Sequence, residues 1–348
     1  MTLIGRLSGL ISTTMRRANI VGIAAALTAV GCCCGVAMGT VGAARSPHLA
    51  HWRAVDAAPT PIDVAVGRAG GDPVVAANGR LFLLRRSGRL APFAPAYQSL
   101  AGDEAYIAVP AADHRGCSFG KDNVYALRLH NGTGITRITA RGRVSVFATI
   151  NATGLFDGIA FDETGRFGYR LLVTIANGST TTVDAIDCHG AVTAITSSAP
   201  HVEGGIAVAP KSFGRFAGDL IAPDETSGRI FAISPRGTTS LLANSGLPSG
   251  GDIGVESETF VPADRHAELL VADRLTPGNP HPGDNVLLGV SSRALHAVGV
   301  RAGDLLITTE GGALTDAVRC ASVRCSVRYV ADGPAVAHIE GHIGFIVR

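Results

Sequence analysis

HVEGGIAV (His201–Val208) and HIEGHIGF (His338–Phe345) lie 137 residues apart and repeat an imidazole, a carboxylate and a glycine at one spacing. In an extended segment alternate side chains share a face, so His338, Glu340 and His342 point to one side, as do His201 and Glu203. Imidazole nitrogens and carboxylate oxygens on one face are metal donors. They suit Ca²⁺, Mg²⁺ or Mn²⁺ where oxygens dominate and Zn²⁺ where histidines do. An acid ahead of a glycine also has a plainer use, which is to accept hydrogen bonds from the amides of a turn.

The elements that must position these groups show as a repeat. Small, alternating segments recur at Val64, Ile107, Ile159, Ile206, Ile253, Val298 and Ile343, with spacings of 43, 52, 47, 47, 45 and 45. Each is followed by a more apolar segment, as in GDPVVAANG (71–79), GDLIAPDE (218–225), AELLVADR (267–274) and GDLLITTE (303–310). A third segment follows, GRLFLLRRSGR (79–89), VDAIDCHG (183–190) or GRIFAISPRG (228–237), and a weaker fourth such as SLLANSG (240–246). Four short strands per ~45 residues is the period of a propeller blade. The fold class is therefore all-β: a six-bladed β-propeller of four-stranded blades closed by the C-terminal strand, with seven blades as the alternative and a β-sandwich pair as the competitor. The expected closure puts the last strand innermost in the first blade, displacing 61–66 outward, because an open blade leaves unpaired edges.

In an up-and-down blade, first-strand starts and second-strand ends share a face. Glu104, Asp157, Glu203, Asp252 and Glu340 stand at the former, and Asp224, Asp273 and Glu310 at the latter. These carboxylates are expected to meet at one mouth of the channel, and like charges gather only with compensation. The expected metal shell is drawn from Asp157, Glu203, Asp273, Glu310, Glu340 and His342, with Glu203 or Glu340 as ligand or general base. Three periods separate Glu203 from Glu340, which in a ring of six puts them on opposite sides. The stretch TPGNPHPGDN (276–285), with His281 and Asp284, hangs from the same face as a rim.

Composition bounds the rest. The 348 residues are 46% hydrophobic and 17% charged with 44 glycines and a net charge of +2, which suits short strands and carries no nucleic-acid footprint. Arginine far outnumbers lysine, in keeping with a high-GC bacterial coding bias. Met15-Arg16-Arg17 precedes an uncharged stretch from Ile20 to Ala44, read as a cleaved signal peptide, an uncleaved anchor or a lipoprotein leader around Cys32. The expected organisation is a signal or anchor over 1–45, a linker over 46–60 and a propeller over 61–348. All three leaders place the protein outside the cytoplasm, secreted or on the outer face of the membrane, with the membrane touched only through that segment. Cys117, Cys188, Cys320 and Cys325 then suggest disulfides, a local 320–325 staple and a long 117–188 bridge among three connectivities, with free thiols as the rival.

Glu203-Gly204, Glu340-Gly341, DGIAFDETGR (Asp157–Arg166) and LLVADR (Leu269–Arg274) together resemble the six-bladed propellers of the senescence-marker-protein/gluconolactonase and strictosidine-synthase-like group. The resemblance implies a divalent metal on the axis, held by a Glu ahead of an inner strand and by Asn or Asp residues of other blades. Many such proteins hydrolyse lactones or esters. Two functions follow as expectations. One is an exported monomeric propeller that binds a cell-envelope glycan, a protein or a small ligand at an acidic, metal-bearing mouth. The other is a metal-dependent lactone or ester hydrolase, so enzymatic activity is left open.

Overall fold

The computed structural model describes residues 48–66, 71–112, 114 and 116–347. The leader expected over 1–45 lies outside these residues.

Six sheets form the blades of a propeller. Blade 1 comprises Pro61–Ala65, Val74–Ala77, Arg80–Leu84 and Leu90–Phe93 from inside outward. Blade 2 comprises Ile107–Ala108, Val124–Arg128, Gly134–Ile138 and Val144–Thr149. Blade 3 comprises Leu155–Phe161, Leu171–Asn177, Thr180–Ile186 and Val192–Pro200. Blade 4 comprises Ala207–Val208, Leu220–Asp224, Arg229–Ile233 and Thr239–Asn244. In all four, every strand pairs with the next one in the chain. Their second strands are buried on both sides, as Leu171–Ala176 is throughout, because each blade is sandwiched between two others. That is why these segments read as unbroken apolar runs; a fully buried leucine there stabilises the fold by roughly 1.5–3 kcal/mol.

Blades 5 and 6 are interleaved. Blade 5 runs Val255–Phe260, Leu305–Thr309, Thr315–Ala321, Arg324–Asp332, with Ala50–His51 added in parallel at its edge. Blade 6 runs Ile339–Val347, Ala267–Asp273, Val286–Ser291, Arg53–Ala57. The chain leaves blade 5 after its inner strand, lays down the middle of blade 6, and returns through a short helix, Ser292–Ala297.

Three expectations change here. The C-terminal strand closes the ring, but as the inner strand of blade 6, paired from Ala267↔Val347 to Asp273↔Ile339; Pro61–Ala65 stays innermost in blade 1. Val298 is no strand anchor: Ser291 Oγ accepts from the Ala294 amide, Leu295 faces the core, and Gly299 (φ 86°) ends the helix. The stretch 46–60 is not all linker, since 50–51 and 53–57 are strands and Trp52 is buried, its Nε1–H donating to Thr315 Oγ1 at 2.8 Å. Six blades, not seven, result.

Disulfides join Cys117 to Cys188 and Cys320 to Cys325. The first ties the 109–123 connection of blade 2 to the last turn of blade 3, and the second crosses a hairpin of blade 5. Both fit an oxidising, extracytoplasmic compartment. Among the described residues no helix is long and apolar enough to cross a membrane.

Candidate functional site

The glycine of each Glu-Gly step serves geometry. Gly204 adopts φ 88° and Gly341 φ 66°, and a Cβ on the following Gly205 would sit 2.7 Å from the Gly341 carbonyl oxygen, so the approaches to the inner strands of blades 4 and 6 nearly touch. Because blades 5 and 6 interleave, Glu203 and Glu340 belong to inner-strand starts two blades apart, not to opposite sides of the ring.

The glutamate of the second copy serves a buried cluster. Glu310 follows the second strand of blade 5, and the Ile339 amide donates to its carbonyl at 2.9 Å, which brings the start of the last strand alongside. His338 Nε2 lies 2.9 Å from Glu310 Oε1 and 3.1 Å from Glu340 Oε1. One donor atom from each of the three falls within 4.8 Å of the others, and the three residues are 0%, 7% and 2% exposed.

More acids surround this trio than cations. The Arg274 guanidinium pairs with Glu340 and reaches Glu104 Oε1 at 3.1 Å. The Tyr106 hydroxyl donates to Glu256 Oε1 at 2.6 Å and lies 3.1 Å from Glu340 Oε2. Glu225 accepts from the Ile253 and Gly254 amides and leans on Glu310. Five glutamates (104, 225, 256, 310 and 340) thus face one arginine and one histidine. Protons make up the difference. Burial, then Glu310, pushes Glu225 up to about 9. Burial, then Glu340, raises Glu256 well above the usual carboxyl range. Burial and Glu340 lift Glu104 to about 7. Burial pulls the His338 imidazole down, but Glu310 and Glu340 outweigh it and hold the group up at about 9. Two carboxylates and an imidazole with surplus negative charge are a donor set that fits a divalent cation, which would replace bound protons.

The other expected site residues lie around this core without joining it. The register shift at Gly341 breaks the alternation, so His342 turns away from Glu340 and places Nδ1 3.0 Å from Asp63 Oδ2 of blade 1. Asp157 is buried and held by the Thr174 hydroxyl at 3.0 Å; burial raises its carboxyl well above normal. Asp273, lifted to about 6 by burial, accepts from the His338 amide at 2.9 Å and the Asp284 amide at 3.3 Å, pinning the rim to the last strand. Glu203 sits 3.9 Å from His201 Nε2, and His201 Nδ1 is 3.7 Å from Asp224. Asp252 occupies an exposed turn with φ 60°. His281 of the rim donates to the Ala335 carbonyl at 2.7 Å.

Sequence reasoning passed over Asp63, Tyr106, Glu225, Glu256 and Arg274. Glu225 stands one place after a residue that was singled out. Glu256 was hidden because the inner strand of blade 5 starts at Val255, after the Ile253 taken as its anchor. Tyr106 immediately precedes the Ile107 anchor, and nothing in its type signals a mouth position.

No family model and no curated protein matches the sequence. Among solved structures the chain is similar to a streptogramin B lyase (10% identity, TM-score 0.46, covering 80% of this chain and 72% of that one). It is also similar to virginiamycin B lyase from Staphylococcus aureus (13%, 0.44, 80% and 88%). A third similar structure is a protein provisionally named a gluconolactonase (12%, 0.36, 70% and 92%).

Proposed function

We propose that this protein is an extracytoplasmic propeller whose acidic mouth holds a divalent cation through Glu310, His338 and Glu340 and binds an oxygen-rich ligand there, a cell-envelope glycan or a small molecule. The observation that carries the reading is the convergence of those three buried donors inside an excess of carboxylates. A bound ion would supply positive charge and Lewis acidity at the mouth. Around it, Arg274 orients Glu340, Tyr106 spans Glu256 and Glu340, and Asp273 fixes the backbone of His338. A ligand reaching the mouth meets Glu203 and Glu104, both partly open to solvent.

Lactone or ester hydrolysis is the second reading, and Glu104 favours it. A carboxyl at about 7, next to Arg274, has the affinity for a proton that a general base needs near neutrality. Chelator treatment of the full chain, followed by add-back of Ca²⁺, Mg²⁺, Mn²⁺ or Zn²⁺, tests both. Calorimetric binding of one ion per chain, lost in Glu310→Gln, supports the site; no binding of any of the four ions removes it. Turnover of a lactone and ester panel that follows the metal and is lost in Glu104→Gln assigns the hydrolase. Ion binding without turnover leaves the binding module.

A further inference from the structure

We infer that the face opposite the acidic mouth docks on an anionic phospholipid bilayer. In these sheets the connections alternate between ends, so the first-to-second connections and the third-to-fourth turns all lie away from the mouth. The only two lysines of the sequence, Lys121 and Lys211, sit in such connections of blades 2 and 4. The third-to-fourth turns carry Arg86, Arg141 and Arg236 in blades 1, 2 and 4, Arg324 opens the outer strand of blade 5 at the same end, and all six cations are exposed. Asp122, Glu163 and Asp219 lie in the same connections, and three further acids there are engaged locally. Asp72 is paired with Arg85, Asp162 accepts from the Phe167 and Tyr169 amides, and Asp187 accepts from those of His189 and Ala191. The molecule is nearly neutral in sum, but among the described residues cations outnumber acids in these connections of blades 1–4.

On the basic face lies a cavity of about 560 Å³ lined by Arg265, His266, Arg293 and His296. Its two arginines are exposed and its lining holds no acid, which suits the phosphate of a lipid headgroup. Sign and position point to one surface. Docked this way, the acidic mouth faces away from the membrane, and the proposal stands whether or not the mouth binds a cation.

The test uses the full chain reconstituted in phosphatidylcholine vesicles with and without phosphatidylglycerol, read by hydrogen exchange. Anionic vesicles are expected to protect residues 139–143, 234–238 and 292–297, but not 225–228 at the mouth end, and high salt to reverse the effect. Neutralising an arginine near an anionic surface costs about 1 kcal/mol. The Arg265→Gln/Arg293→Gln double variant therefore lowers the docked-to-free ratio by roughly thirtyfold. Equal exchange in the two vesicle types overturns the proposal, as does protection that survives high salt. Protection by soluble polyphosphate without protection by anionic vesicles also overturns it and assigns the face to a soluble polyanion. The salt and lipid comparison on the unmodified chain decides the matter even if the double variant fails to fold.

Discussion

The last strand carries two histidine–carboxylate sites with opposite fates. At one, Asp63 accepts from the Val64, Ile107 and His342 amides at 2.7–2.8 Å, and the His342 ring completes its shell. Every lone pair has a donor and one carboxylate meets one imidazole. At the other, four residues earlier, His338 meets two carboxylates that are themselves crowded by three more. Backbone amides supply the donors at the first site; at the second, side chains meet Glu340, namely Arg274, Tyr106 and His338. A buried carboxylate closed off by amides joins blades, whereas one left with surplus charge is available to a cation.

The sharpest way to break this contrast is Asp63→Ala. It leaves three buried amides and an imidazole without an acceptor and is expected to destabilise the fold by about 3–5 kcal/mol in urea denaturation. If stability barely changes, Asp63 is no joint between blades. Next is Glu340→Gln, which removes a proposed ligand. Divalent affinity in calorimetry is expected to fall by more than the roughly 10–100-fold that loss of a supporting partner costs. Tyr106→Phe tests that lesser class, with an expected loss of about tenfold; an unchanged affinity would detach the Glu256–Tyr106 pair from the site.

Proton linkage reports on the second site. The Glu104 carboxyl titrates at about 7 in the fold against 4.5 when unperturbed, so the folded chain holds its proton more tightly. Its contribution to stability is complete below pH 4.5 and is lost as pH rises through about 7. Glu225, at about 9, extends the same downward slope to higher pH. Metal-free protein should therefore lose thermal stability between pH 5 and 9, and saturating divalent ion should flatten the loss; a metal-free profile that rises over this range contradicts the charge excess. The smallest effect belongs to Glu203→Gln. Its carboxyl is partly exposed and meets His201 only at 3.9 Å, so stability and ion affinity should both stay within about 0.5 kcal/mol of the parent. A larger loss of affinity would bring Glu203 into the cation shell.

Local pattern carried much of this architecture. Strand and turn alternate over ~45 residues because a four-stranded meander needs that much chain. The inner strands of blades 2–4, the second strands at 74–77, 220–224, 267–273 and 305–309, and the gathering of acids at their mouth ends were legible, since each is set by neighbours in sequence. Assignment of strands to blades 5 and 6 was not. AELLVADR and GDLLITTE look alike, and only packing decides which of them pairs with Val255–Phe260.

That short sheets repeat around an axis and that carboxylates crowd one end follows from residue order alone, because period-two patterning and hairpin direction are local properties. Tertiary structure alone decided which acids meet. Glu310, His338 and Glu340 come together because the chain crosses from blade 5 to blade 6 and back, and His342 leaves them because Gly341 admits a left-handed turn that no alternation rule anticipates.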